Sequence, residues 1–254
     1  MPAWLVFSGS LEGRMTRLHD SLTVIDGLVI SKWSRAIFAD MRAGGLTAAN
    51  CTCSIWEGFV ATMRNIAQWK RWFADNSDLI TPVRATADIR RAKAEEKTRI
   101  ILGFQNTSAL EDQIGYISLF KELGVGVMQM TYNTQNLVGA GCYEPHDSGL
   151  SGFGHEVVAE MNRVGVLCDL SHVGPVTSRD VTLASNQQII GSQLEVLIEG
   201  RPEDGSAWYA GRSYRDAPEV DGLVLVRADA LPLGELVPVR VERALAYDLL
   251  ASPA

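Results

Sequence analysis

Val164-Gly165-Val166-Leu167-Cys168-Asp169-Leu170-Ser171-His172 is the segment around which the rest of the chain can be placed. It is apolar for most of its length and turns polar only at its end, the pattern of a strand buried on both faces in a parallel sheet. A helical pattern precedes it. Ser151 stands in a capping position, Val157, Val158, Met161 and Val164 form one stripe, and Gly165 breaks the helix so that the strand begins at once. Pro175 then suits the first turn of a further helix, Val176 to about Ala184.

The same rhythm runs back toward the N-terminus. Strands are expected at Val24–Ile30, Leu46–Cys53, Arg99–Asn106, Val125–Asn133 and Val164–His172. Between them, Trp56, Phe59, Val60, Met63, Ile66 and Ala67 make one apolar helical stripe. Ser108 and Glu111 read as a capping box ahead of a helix carrying Leu110, Ile114, Ile117 and Phe120, with Gly124 at its C′ position. Strands and helices alternating in this way form right-handed βαβ units. No G-x-G-x-x-G follows any of the strands, so a (β/α) barrel of the TIM type fits better than a dinucleotide-binding sheet. Barrel chemistry sits at the C-terminal ends of strands, and here those ends are the most polar points of apolar runs.

Composition narrows the function classes. Of 254 residues, 46% are hydrophobic and 21% charged, as in an ordinary globular protein, and no apolar run is long enough to span a membrane. The apolar Met1–Ser10 segment lacks a basic start and does not read as a signal peptide. Four cysteines make no disulfide scaffold, which places the expected setting in the cytoplasm. The net charge of −7 argues against a general nucleic-acid binder. The charge is uneven: residues 193–254 carry 11 acidic and 6 basic side chains, residues 1–192 carry 19 and 17. Such a shift suggests two segments of different origin.

The stretch Val24–Val181 resembles the membrane (renal) dipeptidase family of zinc-dependent peptidases. The resemblance rests on Ile25-Asp26-Gly27, Gly103-Phe104-Gln105-Asn106, Met130-Thr131-Tyr132-Asn133-Thr134-Gln135-Asn136, Ser148–Ser151, Glu160–Arg163 and, most specifically, Val164–Val173. It implies a TIM-type barrel, a binuclear zinc centre and hydrolysis of small peptides. It also implies ligand positions, and most of them have changed. The family's His-x-Asp pair on the first strand falls on Leu28 and Ile30, which cannot coordinate a cation. Its bridging glutamate falls on Gln105, a neutral amide. Its histidine ligand of the Asp-Leu-Ser-His motif is kept as His172. A substrate-contacting histidine of the fourth strand becomes Tyr132, so Tyr132 and Asn133 are the expected substrate-binding residues. A last ligand, in a Ser-His pair expected after about Ser185, has no counterpart.

Other groups carry alternative readings. Cys51 and Cys53 point to one face of a strand near Glu57, where they would serve as metal ligands or nucleophile, or simply as small buried residues. Cys168 reads as core. Cys142, Glu144, His146 and Asp147 lie in a Gly-rich loop that either offers polar groups to a barrel mouth or is merely solvated. Arg90–Lys97 reads as a solvated helix face. His19 and His155 receive no role.

After about Gln188 the rhythm changes to short strands at Gln193–Glu199, Ala207–Arg212, Gly222–Arg227 and Leu236–Arg243. Val196 and Ile198, Val224 and Val226, and Val237, Val239 and Val241 alternate with period 2. Polar or proline-containing turns separate the strands, at Arg201–Gly205, Asp216–Pro218 and Pro232–Gly234. An OB-like barrel of about five strands is expected. Gly211-Arg212-Ser213, Asp216–Gly222, Gly234-Glu235 and Tyr247-Asp248-Leu249 resemble the C-terminal TRAM domain of the radical-SAM methylthiotransferases that modify a ribosomal protein. That domain recognises the target and does no chemistry. The acidic balance makes a basic ribosomal protein a better expected partner than RNA. The cysteines at 51, 53, 142 and 168 cannot supply C-x3-C-x2-C, so no iron–sulfur cluster and no methylthiotransfer are expected.

The expected organisation is an extension over 1–23, a partial dipeptidase-like barrel over 24–187 and a TRAM-like barrel over 193–254, with a junction near 185–192. Five of eight strands leave two sheet edges open, so a fused β domain, a second chain or residual disorder must cover them, and poor stability or oligomerisation is expected. Three functional readings follow: a divergent dipeptidase acting on small peptides, a binding module for a ribosomal protein, or a fusion product with no activity of its own.

Overall fold

The structure is a computed structural model that describes residues 18–201, 207–218 and 221–254. The Met1–Ser10 segment, most of the Arg201–Gly205 turn and Glu219 and Val220 of the TRAM-like motif lie outside the described residues. Within them the chain forms two compact units. One runs through Gln129 and takes in Gly165–Leu167; the other holds Met130–Val164 and Cys168–Ala254.

The first part alternates as expected: β1 (Ile25–Val29), α1 (Arg35–Ala43), β2 (Ala48–Ser54), α2 (Phe59–Asp75), β3 (Ile80–Pro82), α3 (Thr86–Arg91), β4 (Thr98–Phe104), α4 (Gly115–Leu123), β5 (Val125–Gln129), α5 (Gly152–Val164), β6 (Leu167–Asp169) and α6 (Pro175–Gln187). The sheet order is β1-β2-β4-β5-β6, with β3 also paired to β4. The pairings over β1 to β5 are parallel: β1 on β2, β2 on β4, and β4 shared between β3 at its start (Ile80↔Thr98) and β5 at its end (Leu102↔Val125). All seven residues of β2 and six of the seven in β4 are buried, as central strands covered by helices require. The sheet is an incomplete TIM-type barrel, with β1 and β6 as its edges.

Five local expectations are corrected. First, the sheet has an additional strand, β3, whose three residues ending in Pro82 carry no periodicity. Second, the segment Val164–His172 yields only a three-residue strand: α5 runs on through Val164, and the strand stops at Asp169. Likewise, β5 ends at Gln129 rather than Asn133. Third, Ser108 does not cap α4. It opens a single 3₁₀ turn, Ser108–Leu110, and Glu111 adopts φ +51°. The Glu111 carboxylate instead accepts the backbone N–H of Phe59 at 3.2 Å, so it satisfies an orphan donor at the start of α2. Fourth, the stripe on α2 is rotated: Trp56 and Val60 are exposed, while Thr62, Ile66 and Trp69 face the core. Fifth, only Arg90 and Arg91 of the charged run lie on a helix; residues 92–96 form a turn.

The helix ends that were read correctly have clear causes. Ser151 Oγ accepts from Gly154 N at 2.9 Å at the head of α5, and Gly165 leaves it with φ +73°. Gly124 ends α4 with φ +106° and returns its N–H to Lys121 O. Pro175 opens α6.

The C-terminal strands close into a barrel in the order β10-β11-β9-β8-β7, where β7 is Gln193–Gly200, β8 Trp208–Arg212, β9 Val224–Arg227, β10 Leu236–Ala244 and β11 Leu249–Pro253. The fifth strand, β11, pairs antiparallel with β10 and parallel with β9, which removes both edges. Val196, Ile198, Val224, Val226, Val239 and Val241 fill the interior, and Val237 packs against it. The period-2 pattern therefore assigned the inner face correctly.

Candidate functional site

The residues expected at a metal centre are split between the two units. In the first, Leu28 belongs to β1 and Ile30 follows its end. Both are exposed hydrocarbons, Ile30 at 63% and Leu28 at 39%. Gln105 follows β4 and is buried; its Nε2 donates to Thr52 Oγ1 at 2.7 Å. An amide held in this way presents no negative charge to a cation. Asn50, on the same strand as Thr52, donates its Nδ2 to Gly27 O at 2.9 Å.

In the second unit, Tyr132 and Asn133 follow β5, and His172 lies in the turn after β6. The three meet. The rings of Tyr132 and His172 have centroids 4.7 Å apart and are tilted by 31°. His172 Nδ1 lies 2.8 Å from Asn133 Oδ1. Cys142 Sγ approaches the same oxygen at 3.6 Å, and Cys142 N donates to His172 O at 2.9 Å. Asn133 and His172 both adopt φ +61°, a left-handed conformation that Asn and His take more readily than branched residues.

The residues present do not fit a two-metal centre: of the ligand positions that the resemblance implies, two hold hydrocarbon and one an engaged amide, which leaves a single imidazole. Among the described residues, no group of three or more His, Cys, Asp or Glu side chains could hold a metal ion. A binuclear hydrolytic site needs several oxygen or nitrogen donors, some of them anionic, around two dications.

The remaining candidates resolve into structural roles. Cys51 and Cys53 are buried; burial, helped by nearby Asp26 for Cys51 and by Cys51 and Glu57 for Cys53, pushes both thiols far up. Neither is a thiolate nucleophile at neutral pH. Burial likewise pushes Cys168 up to about 12, and its sulfur rests 3.8 Å from Met161 Sδ. In the loop after β5, Glu144 accepts from Gln135 N, while Cys142 and His146 are exposed. Asp147 has a role the sequence did not reveal. Its carboxylate accepts from Val176 N at 2.6 Å, from Thr177 N and from Thr177 Oγ1 at 2.7 Å, so a loop side chain satisfies the first turn of α6. No local pattern could have signalled it, because the two partners are 30 residues apart.

Comparison with known proteins follows this division. A family model for membrane dipeptidase (peptidase family M19) matches residues 33–196, and a TRAM domain model matches 190–253. An amidohydrolase from Pseudomonas aeruginosa is 65% identical, with a TM-score of 0.66; the match covers 67% of this chain and 52% of that one. The probable dipeptidase PvdM from the same organism shares the fold, with 17% identity, a TM-score of 0.60 and cover of 68% and 52%. Over the C-terminal barrel, the ribosomal protein uS12 methylthiotransferase RimO of Thermus thermophilus is 51% identical across 70 residues, which is 27% of this chain and 16% of that protein. The chain thus spans about half of those solved structures and about a sixth of the curated relatives it matches. Its first part matches over well more than half of the sequence, and its closed five-stranded barrel lies where the second model matches: the chain belongs to the membrane dipeptidase family, peptidase family M19, with a TRAM domain joined at its C-terminal side.

Proposed function

We propose that this chain is a non-hydrolytic member of the dipeptidase family that works by binding, and that its TRAM barrel contacts a basic protein of the ribosomal type. One observation carries the reading: the positions where the resemblance implies ligands for two zinc ions are occupied by Leu28, Ile30 and a hydrogen-bonded Gln105, whereas the C-terminal five-stranded barrel is closed. Fold is inherited more readily than a site, so family membership does not bring hydrolysis with it. The barrel region carries 11 acidic against 6 basic side chains, which favours a basic polypeptide over a nucleic-acid backbone. Exposed acids such as Glu195, Asp229 and Glu235 supply that field.

The test is capture of purified uS12 on the immobilised full chain over a salt series. Retention that falls with salt, and is lost on Glu195→Lys with Glu235→Lys, supports the reading. Retention of single-stranded RNA but not of uS12 overturns it.

Hydrolysis of small peptides is the second reading, favoured by the 65% identity to a protein described as an amidohydrolase. On that reading His172 would serve as a metal ligand, with Tyr132 and Asn133 meeting the substrate.

A further inference from the structure

A cavity of about 240 Å³ lies in the first unit, at the C-terminal ends of β1 and β2. One wall is aromatic: Trp33 from the segment after β1, and Trp69 and Trp72 from α2. These indoles brace one another. Trp33 and Trp69 have ring centroids 4.9 Å apart, and Trp69 and Trp72 are 5.0 Å apart, both edge to face. Trp69 is fully buried; the other two are partly open. Polar side chains complete the lining: Glu57, and Asn65 and Gln68 from the same helix as Trp69 and Trp72.

The polar part of the lining has a sign. Glu57 is the one carboxylate of the lining, which holds no Lys, Arg or His, and burial pushes the Cys53 thiol far up. One Glu57 oxygen accepts the N–H of Ile55 at 2.6 Å, which fixes the carboxylate and leaves the second oxygen for a ligand. Asn65 spends an amide hydrogen on Cys53 O at 3.0 Å and keeps its carbonyl oxygen. Gln68 differs: its oxygen is taken by Arg71, outside the lining. Indole faces carry negative quadrupole charge. Carboxylate, amide oxygen and indole faces together ask for a donor-rich positive group with an apolar body. The volume sits below the range of about 300–1,000 Å³ typical for drug-sized ligands, so the guest is small.

We propose that this cavity binds a small organic cation, a guanidinium or alkylammonium head on a short apolar stem, between the Trp33–Trp69–Trp72 wall and the Glu57 carboxylate. Ile30, where the family resemblance implies a metal ligand, also belongs to the lining, and it offers the guest only hydrocarbon. The same head group occurs on free polyamine-like molecules and on arginine or lysine side chains of a peptide.

Three of the six tryptophans line the cavity, so their emission reports on occupancy. The full chain is titrated with agmatine, with the blocked tripeptide Gly-Arg-Gly, and with an uncharged isostere of agmatine bearing a urea head. The expected result is saturable quenching by one or both cations and at least tenfold weaker binding of the urea. Tighter binding of agmatine names a free cation as the source; tighter binding of the tripeptide names a peptide side chain. Glu57→Gln retains an oxygen for Ile55 N and removes the charge, so it should weaken cation binding at least tenfold while leaving the circular dichroism unchanged. Trp72→Phe should weaken it several-fold. Equal affinity for the urea, unchanged binding in a folded Glu57→Gln variant, or no saturable change with either cation overturns the proposal.

Discussion

Asn133 Oδ1 accepts a hydrogen bond from His172 Nδ1 at 2.8 Å, and the two residues share φ +61°. An amide oxygen has only lone pairs to give, so in the neutral ring Nδ1 carries the proton and Nε2 does not. The backbone adds two ties between neighbouring segments: Cys142 N donates to His172 O, and Tyr143 N to Asn133 O. The pair is thus a rigid clasp across the turns after β5 and β6. Asn133→Ala loses the side-chain bond and places a Cβ residue with no local compensation in the left-handed region, at a cost of about 1–2 kcal/mol. Asn133→Gly loses the same bond but relieves the backbone, and should cost less. Urea unfolding of the two variants measures the difference, and equal losses would contradict the backbone part of the argument.

Asp147 gives a pH-dependent prediction. Burial pushes its pKa up, but bonds from Thr177 Oγ1 and from the backbone of Gly149, Thr177 and Val176 outweigh it, so the carboxyl titrates below its ordinary 3.8. A carboxylate whose pKa is lowered on folding stabilises fully above its ordinary value. That contribution is lost as pH falls from there through the folded value. Asp147→Ala should therefore cost about 1–2 kcal/mol at pH 7, with the gap from the parent protein narrowing in acid below that range. A gap that stays constant down to acid unfolding would show the carboxylate charge to be idle.

Trp69 packs on Trp33, Phe38, Trp72 and Phe73 and is 1% exposed. Trp69→Ala should destabilise the first unit by about 3–5 kcal/mol through lost burial and the cavity left behind. Thermal unfolding followed by near-ultraviolet circular dichroism reports it directly.

Two glycines of the C-terminal barrel region should behave oppositely. A Cβ on Gly222 would lie 1.9 Å from the carbonyl oxygen of Tyr247, which is backbone and cannot swing away. A Cβ on Gly200, in β7, meets nothing within 4 Å. Gly222→Ala should cost at least ~1–3 kcal/mol as an overpacked site, while Gly200→Ala should be near neutral. Melting temperatures of the two variants make the comparison.

The sequence revealed what repeats and missed what is singular. Apolar runs placed β2, β4 and β5, and the period-2 valines placed the inner face of the C-terminal barrel, because burial imposes a rhythm on many residues at once. β3 is too short to have a rhythm. Glu111 imitated a capping box, yet its carboxylate serves α2, a partner 52 positions away that no local pattern encodes. The aromatic cluster escaped the sequence reading: Trp69 and Trp72 stand three apart on one helix, but spacing alone could not place Trp33 and Glu57 beside them. Where the resemblance implies metal ligands, residue type alone speaks: Leu28, Ile30 and Gln105 are poor ligands in any geometry.

Equilibrium dialysis of the purified full chain against zinc, with metal content and dipeptide turnover read on the same samples, weighs the binding reading against the hydrolytic one. The account predicts no retained pair of zinc ions per chain and no turnover above that of the His172→Ala variant. Two tightly held zinc ions, with hydrolysis that disappears in His172→Ala, would contradict it.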